Sequence, residues 1–527
     1  MQDYKLYIYL LGLWGMLTLY ACSSNDSDDF IIKSDVQAEE VDAYFQLQLE
    51  ESDELGGLRS GTLDGDEPKG ENEISILTFF VIDLDEHDDL DWTKVKYLSL
   101  FAPTNNKFTI SIKTTIGKKK IFVGANMSAE QITSFRANKG KYTSSGTTYK
   151  EVIDDFANVN GRGIVMFGQL TLNNNPIIEI TKAASDPDNP LKTELELTRV
   201  VAKVALTYTP GPDGEEFVKL KDEIDGFIDQ KNIYFMLNNT SKSIDFISGM
   251  NPSYSKFLME EYLTYNSGNS FNPLRYFYKQ DPSTDFVIYA PDASVPGVLP
   301  ENAFPTNAFN LPDGTNDPYH NGGLEEYEGI DIITGKHKHY ASFRYCLENT
   351  VSTNAITDND NALAMRHGIN TKIIVAAKYT PGTVIHTSDP NSIPPTEHTI
   401  TTEADMDLLT SNDPNGAGTF HAVLISDGKH KYYTYNAVKY YEENPPFDGT
   451  FIPYEKGYGY YATFISQPEK ADEDDDLCYN LNRNHYYILN VTEFTPPGVV
   501  YPQEAYMLVN SVTTDWIKGK TTTIEVE

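Results

Sequence analysis

Cysteine and positive charge are both scarce in this chain. The 527 residues contain three cysteines, and 41 basic residues stand against 77 acidic ones, which gives a formal net charge of −36 at pH 7. Such a charge repels nucleic acid and anionic lipid surfaces, and we exclude nucleic acid as a partner. No closely spaced cysteine or histidine set forms a zinc site, and we expect no metal and no other cofactor. The fold is therefore expected to depend on its hydrophobic core.

Sequence motifs for catalysis are also missing. The chain has no Gly-x-Ser-x-Gly turn and no Gly-rich phosphate loop. Cys346 and Cys478 lack a recognisable catalytic neighbourhood, and they could either form one disulfide or remain free thiols. The acidic stretches 83–91 and 472–476 lack the glycine and terminal glutamate of a helix-loop-helix calcium loop. We expect no enzymatic activity, although the paired carboxylates of a glycosidase stay an alternative because only the fold sets their separation.

The N-terminus has the features of a short secretion signal that ends in a lipobox. Lys5 precedes an apolar run over residues 6–20, which is shorter than the roughly 20 residues of a membrane span but suits a signal-peptide core. Leu19, the small residue Ala21 and then Cys22 occupy lipobox positions, so we expect cleavage before Cys22 and diacylation of that cysteine. An ordinary signal peptide with an incidental cysteine is the alternative.

Residues 41–50 carry the cleanest strand pattern in the chain. Apolar and polar side chains alternate there with a period of two, and the apolar positions are Val41, Ala43, Phe45, Leu47 and Leu49. A Gly-rich loop follows and contains Arg59, so a trypsin-like protease would cut between Arg59 and Ser60. The alternative is a permanent edge strand followed by an ordinary loop arginine.

The rest of the chain predicts a mainly β protein. It is rich in aromatic residues, with 35 tyrosines and 26 phenylalanines. Strands are predicted at residues 74–83, 107–115, 120–126, 195–208, 231–237, 285–289, 340–348, 372–379, 419–426, 430–435, 457–466, 485–492 and 505–512. Ser128 and Gln131 predict a capping box for a short helix over residues 128–135. We expect two β-sandwich domains of transthyretin-like or Greek-key type, with long loops and few short helices.

A dense turn signal at residues 210–214 divides these two domains. The predicted organisation is a lipoprotein signal peptide at residues 1–21 and a lipidated propeptide with the removable strand at residues 22–59. An N-terminal β-sandwich domain then covers residues 60–212, and a C-terminal β-sandwich domain covers residues 213–527.

Several segments occur in an order that is typical of one family. The first half contains the lipobox at Cys22, the strand at residues 41–50, Arg59 and the run Leu197-Thr198-Arg199-Val200-Val201-Ala202-Lys203-Val204. The second half contains Glu348-Asn349-Thr350 and Asn482-Arg483-Asn484-His485-Tyr486-Tyr487. Together these segments resemble the fimbrillins of Bacteroidales, the subunits of lipoprotein-derived type V pili. The second-half segments resemble the minor-fimbrium type.

The resemblance implies a structural pilus subunit without enzymatic activity. In this family the precursor reaches the outer membrane as a lipoprotein, and a trypsin-like protease removes everything through the arginine, including the first strand. The C-terminal segment of a neighbouring subunit then fills the exposed groove. The candidate donor residues in this chain are Met507, Val509, Val512, Trp516, Ile524 and Val526.

The same resemblance implies the partners and the location. The partners are other copies of the pilin, accessory pilin subunits and the processing protease, and the only membrane contact is the lipid anchor of the precursor. The lipidated precursor would lie in the outer membrane and the cut form in the extracellular fimbrium.

Two further functions stay open. A tip adhesin of the same pilus needs only to accept a strand, so the alternating C-terminus favours a shaft subunit. A surface glycan-binding lipoprotein would use aromatic side chains on the long loops, such as Tyr319 or Tyr327, as a binding platform.

Overall fold

The computed structural model describes the chain over a series of ranges. These are residues 39–49, 73–102, 107–146, 149–158, 162–212, 214–238, 240–247, 286–287, 327–330, 337–340, 342–349, 371–425, 429–447, 449–465, 481–500 and 507–515. Strands dominate within these ranges and the helices are few and short, so the prediction of a mainly β fold is confirmed.

The first half contains eleven described strands. They are β1 (Glu40–Leu49), β2 (Ile76–Leu84), β3 (Leu90–Phe101), β4 (Lys107–Thr115), β5 (Gly117–Ala125), β6 (Lys141–Thr143), β7 (Ala157–Asn158), β8 (Gly163–Ile164), β9 (Met166–Thr171), β10 (Ile178–Ile180) and β11 (Leu191–Arg199). The strand predicted at residues 107–115 therefore has the same bounds as β4, and the strand predicted at residues 41–50 is present as β1.

The second half contains the remaining described strands. The first of them are β12 (Val201–Tyr208), β13 (Pro210–Gly211), β14 (Gly214–Val218), β15 (Gly226–Asn238), β16 (Thr240–Ser241), β17 (Ser243–Asp245), β18 (Phe286–Val287), β19 (Tyr327–Ile330), β20 (His337–Tyr340) and β21 (Ser342–Leu347). They are followed by β22 (Lys372–Pro381), β23 (Thr383–His386), β24 (Thr396–Thr399), β25 (Phe420–Leu424), β26 (His430–Tyr433), β27 (Ile452–Tyr454), β28 (Tyr458–Phe464), β29 (His485–Phe494) and β30 (Met507–Asp515).

The helices are short and pack against the sheets. They are α1 (Ala129–Ala137), α2 (Tyr149–Phe156), α3 (Glu403–Leu409) and α4 (Tyr435–Glu443), with 3-10 turns at Lys182–Ser185 and Glu455–Gly457. The predicted capping box of α1 is confirmed, because the Gln131 N–H donates to Ser128 Oγ and the Ser128 N–H donates to Gln131 Oε1. No helix of the described residues combines the length and the apolar character needed to cross a membrane.

The first half is built around one sheet with the strand order β3-β2-β5-β9-β11-β1-β4, and β10 pairs with β5. Buried apolar residues of β1, β2, β4, β5, β9, β10 and β11 form one cluster, which we name the first core. Since β2 and β4 lie near opposite ends of the strand order and share this core, the sheet must curve strongly around it.

The central strands of this sheet bury both of their faces. In β2, Leu77, Phe79 and Val81 belong to the first core, whereas Phe80 and Ile82 belong to a second core on the opposite face. Phe135 of α1 packs against Phe80 with ring centroids 4.1 Å apart. The second core continues from these helices into the sheets of the second half.

Three larger sheets organise the second half. Their strand orders are β21-β12-β29-β30, β13-β14-β15-β22-β28 and β24-β23-β26-β25-β27. The single strand predicted at residues 195–208 is divided at Val200, since β11 belongs to the sheet of the first half whereas β12 pairs with β21 and β29. The predicted domain boundaries at residues 59 and 212 stay predictions.

A partly buried arginine joins separate segments of the second half. Arg483 Nε donates to Glu348 Oε2 at 2.6 Å, and Arg483 Nη2 donates to Glu348 Oε1. The same guanidinium donates to the main-chain carbonyls of Asp245 (2.6 Å) and Phe246 (3.1 Å). The Glu348 side chain is only 2% exposed. The positive charge of Arg483 therefore offsets the cost of burying the Glu348 carboxylate.

We therefore expect the substitution Arg483→Met to lower the free energy of unfolding by about 3–5 kcal/mol, because it leaves a buried carboxylate without its cation. Urea unfolding near neutral pH measures the change. Lys118→Met is the control, since the ion pair between Lys118 and Asp88 is exposed and should contribute little. Similar, small effects of both substitutions would contradict the role assigned to Arg483.

Candidate assembly site

Strand β1 lies inside the first sheet, between β11 and β4. It runs parallel to β11, with Phe45 opposite Leu191, Leu47 opposite Thr193 and Leu49 opposite Leu195. The Thr193 hydroxyl adds a side-chain contact by donating to the main-chain carbonyl of Gln46 at 3.4 Å. β1 is therefore an interior strand and not the edge strand of the alternative interpretation.

The alternating side chains of β1 fill the first core. Ala43, Phe45 and Leu47 are fully buried, and Val41 is half-buried against the same cluster. Leu49 belongs to β1, but its side chain lies outside the described residues. Burial of a large apolar side chain contributes about 1.5–3 kcal/mol, so Phe45 and Leu47 make β1 an important part of this core.

The strand β4 depends on β1 for its place in the sheet. In the described strand order β4 is the last strand, and β1 is its neighbour. Its inward side chains Ile110 and Ile112 belong to the same core as Phe45 and Leu47. Loss of β1 would expose main-chain N–H and C=O groups on both β11 and β4, and it would open the core between them.

The predicted processing residues lie outside the described ranges. These residues are Cys22, Arg59 and Ser60. Along the chain, β1 ends at Leu49 and the next described residue is Glu73. A cut after Arg59 therefore breaks the covalent link between β1 and β2 and leaves the strand attached to the sheet by noncovalent contacts alone.

The predicted donor residues are divided between β30 and the last residues of the chain. Met507, Val509 and Val512 lie in β30, which pairs antiparallel with β29 along its whole length. In its sheet β30 is the terminal strand in the order β21-β12-β29-β30. Trp516, Ile524 and Val526 lie outside the described residues, so the donor segment stays a prediction.

The cysteines and the candidate glycan-binding tyrosines lie partly within the described residues. Cys346 is a fully buried free thiol in β21, and burial raises its pKa to about 12. Cys478 and Tyr319 lie outside the described residues, whereas Tyr327 begins β19. In the ranges that the structure describes, no group of His, Cys, Asp or Glu side chains is arranged to hold a metal ion.

Sequence reasoning missed that β4 and β11 pair with β1. The pattern of residues 107–115 predicts β4, but nothing in it shows that Ile110 and Ile112 share a core with Phe45. The partner β11 is separated from β1 by more than a hundred residues along the chain, so its pairing is a nonlocal property that no short motif carries.

Comparison with known proteins gives one family match. A model described as the C-terminal part of fimbrillin, the type IV major fimbrial subunit protein, matches residues 453–526. These residues include β28, β29 and β30, and the match confirms the resemblance to fimbrillins in this part of the chain. The matched family consists of fimbrial subunits, in agreement with the expectation of a chain without enzymatic activity. No curated protein sequence matches this chain.

Several solved structures are distantly similar. Fimbrilin (FimA) from Porphyromonas gingivalis has 13% identity, with 90% of this chain and 98% of that chain covered and a TM-score of 0.39. The tip fimbrial protein Mfa3 of the same organism, truncated at its C-terminus, has 12% identity, 91% and 100% coverage and a TM-score of 0.34. A fimbrial assembly protein from Parabacteroides distasonis has 10% identity, 92% and 100% coverage and a TM-score of 0.29. These similarities are too low to support a functional inference.

The role of β1 in the first core predicts the effect of truncating its largest side chain. Phe45→Ala should lower the free energy of unfolding of the uncut chain by about 3–5 kcal/mol, because it creates a cavity in the first core, to which Phe79 and Ile112 also belong. Asp42→Asn is the matched control, since Asp42 is an exposed residue of the same strand. Chemical unfolding of both variants gives the comparison, and a Phe45→Ala variant as stable as the control would show that β1 does not complete the core.

The environment of Cys346 predicts an unreactive thiol. At about pH 8 a thiol with a pKa of about 12 is almost fully protonated and shielded, so iodoacetamide should not label Cys346 in the folded protein. In urea without a reductant, peptide mass mapping should find Cys346 alkylated. Labelling that requires a reductant would instead indicate a disulfide with Cys478.

Proposed function

We propose that this chain is a structural subunit of a cell-surface pilus that supports adhesion. It is exported as a lipoprotein anchored through Cys22, cut between Arg59 and Ser60 by a trypsin-like protease, and polymerised by strand exchange. The observation that carries this proposal is the position of β1 between β11 and β4, within the segment that precedes Arg59. An interior strand near a chain terminus is the kind of element that another chain can replace.

The energetics of β1 support its exchange for another strand. In the precursor, Ala43, Phe45 and Leu47 keep the first core closed and β1 pairs with strands on both sides. Once β1 leaves, unpaired backbone groups on β11 and β4 and exposed apolar side chains favour any strand with a matching alternation. The propeptide thus holds the subunit in a monomeric state until the protease acts.

A second copy of the chain supplies the replacing strand from its C-terminus. Candidate donor residues are Met507, Val509 and Val512 in β30, or Ile524 and Val526 beyond it. β30 is already paired with β29 in its own subunit, so its use as a donor would require its release from that sheet. We therefore assign the donor role to the segment after Asp515, which contains Trp516, Ile524 and Val526.

The proposed partners and location follow from this assembly. The partners are other copies of this chain, accessory pilins and the trypsin-like protease. The lipidated precursor lies in the outer membrane, where the acyl chains of Cys22 are its only attachment to the bilayer, and the cut subunit lies in the extracellular fimbrium.

Limited proteolysis tests the processing step. Trypsin should release a fragment ending at Arg59 from the folded precursor, and polymers should then appear in size-exclusion chromatography and electron microscopy. Arg59→Ala should block both events, whereas Arg59→Lys keeps a trypsin site and should behave like the unmodified chain. Polymers formed by the uncut Arg59→Ala protein would refute the need for processing.

Competition with a free strand tests the groove. A synthetic peptide with the sequence of Glu40–Leu49 should slow polymerisation of the cut subunit, because it can refill the site between β11 and β4. A scrambled peptide of the same composition is the control. Equal effects of the two peptides would argue against a specific groove.

Two truncations distinguish the donor segments. Deletion of residues 516–527 leaves β30 in place, so the cut subunit should still fold but no longer polymerise. If only the longer deletion of residues 507–527 stops assembly, the donor is β30. Polymerisation by both truncated chains would exclude the C-terminus as the donor.

A further inference from the structure

A cleft opens between two parallel strands of the sheet β24-β23-β26-β25-β27. β23 and β26 share one registered pair, Ile385 with Tyr433. On the outer sides, β23 continues to pair with β24 as far as Thr383, and β26 continues to pair with β25 as far as His430. β23 and β26 therefore separate on the N-terminal side of the pair Ile385–Tyr433. The cleft that opens there has a volume of about 450 Å³.

A loop before β15 and the segment after β29 complete the walls of this cleft. The side chain of Asp225 accepts a hydrogen bond from Thr383 Oγ1 at 2.9 Å, and its carbonyl accepts one from the Gly382 N–H at 3.1 Å. The Tyr379 hydroxyl also donates to the Asp225 carbonyl. Pro496 and Pro497, which are buried, also line the cleft. The three hydrogen bonds to Asp225 fix its position in the wall.

The cleft is lined by two aromatic rings and has a buried hydroxyl close to it. The rings of Tyr432 and Tyr379, which both line the cleft, have centroids 5.5 Å apart. Behind Gly498, which also lines it, lies the phenol end of Tyr461, because a Cβ added to Gly498 would be 2.8 Å from Tyr461 Cζ. The Tyr461 hydroxyl is fully buried and has no hydrogen-bond partner among the described residues. A buried hydroxyl in this state is stabilised by any polar group that reaches it.

The charges around the cleft nearly balance. Four carboxylates line it, from Asp222, Glu223, Asp225 and Glu397, and three lysines line it, Lys221, Lys429 and Lys431. Glu223 and Lys429 form an ion pair at 3.3 Å. The remaining groups do not favour a strongly charged ligand of either sign, and the net charge of −36 disfavours an anion further.

These groups instead match a ligand that is rich in hydroxyls. A carboxylate only accepts hydrogen bonds and an ammonium only donates them, whereas each sugar hydroxyl does both. Carboxylates and lysines on one rim therefore satisfy neighbouring hydroxyls of the same ring, and a tyrosine ring offers an apolar face to the C–H side of a sugar. A volume of about 450 Å³ falls in the range of small-molecule sites.

We propose that the cleft between β23 and β26 is a binding site for an uncharged saccharide, such as a terminal unit of a surface glycan. Glu397 and Asp222 accept hydrogen bonds from its hydroxyls, Lys431 donates to them, and Tyr432 contacts the ring. This site lies in a different sheet from β1, so saccharide binding does not depend on strand exchange.

A glycan array carrying neutral, sulfated and sialylated oligosaccharides provides the test for the full-length chain. We expect binding to neutral oligosaccharides, which titration calorimetry with the best neutral ligand then quantifies. The double variant Asp222→Asn, Glu397→Gln keeps the size of both side chains and should lower the affinity about tenfold or more, because it removes two charged acceptors.

A matched control replaces two exposed carboxylates away from the cleft. Glu442→Gln, Glu443→Gln at the end of α4 removes the same charge and should leave the affinity within about twofold.

Binding restricted to sulfated or sialylated glycans, no binding to any neutral glycan, or equal affinity in both double variants would overturn the proposal. Binding of an extended peptide that only the cleft variant loses would also overturn it, by identifying a peptide as the occupant. Both double variants should polymerise normally, so a failure of this site is separable from a failure of assembly.

Discussion

The pairing of β1 with strands on both sides is the interaction on which the first half of the structure depends. An edge strand can leave a sheet and expose one row of backbone groups, but an interior strand leaves two rows. Here the loss also separates β4 from the rest of the sheet, and Ile110 and Ile112 go with it. The first core is therefore complete only while some strand occupies the position of β1, whichever chain provides it.

The second half is stabilised differently. Its core includes residues of α1 and α2 and of three larger sheets, and it contains buried polar contacts such as the Arg483–Glu348 ion pair. These contacts join segments that are distant in sequence, since Arg483 also binds the main chain at Asp245 and Phe246. In the described part of the second half, side-chain contacts to the main chain therefore add to strand pairing in holding distant segments together.

Local chemistry explains what the sequence could predict. The alternation of Val41 to Leu49 predicts β1 because side chains on a strand face opposite sides, and Ser128 with Gln131 predicts the start of α1 because both groups of the capping box lie within one turn. The run at residues 195–208 was predicted as one strand and is two, β11 and β12, because the apolar pattern does not record which sheet each part joins. The sequence could not predict the cleft between β23 and β26 for the same reason, since the residues that line it come from five separate segments.

The direction of β1 has a consequence for the shape of an assembly. β1 runs parallel to β11, and a replacing strand keeps the same side chains in the core only if it adopts a register that differs by an even number of residues. Such a contact joins two different surfaces of the subunit, which makes it heterologous, and contacts of this kind build an open filament when the rotation between subunits does not close a ring. A filament built through this groove has one polarity: every subunit points the same way, one end presents an empty groove, and growth at the two ends is chemically distinct.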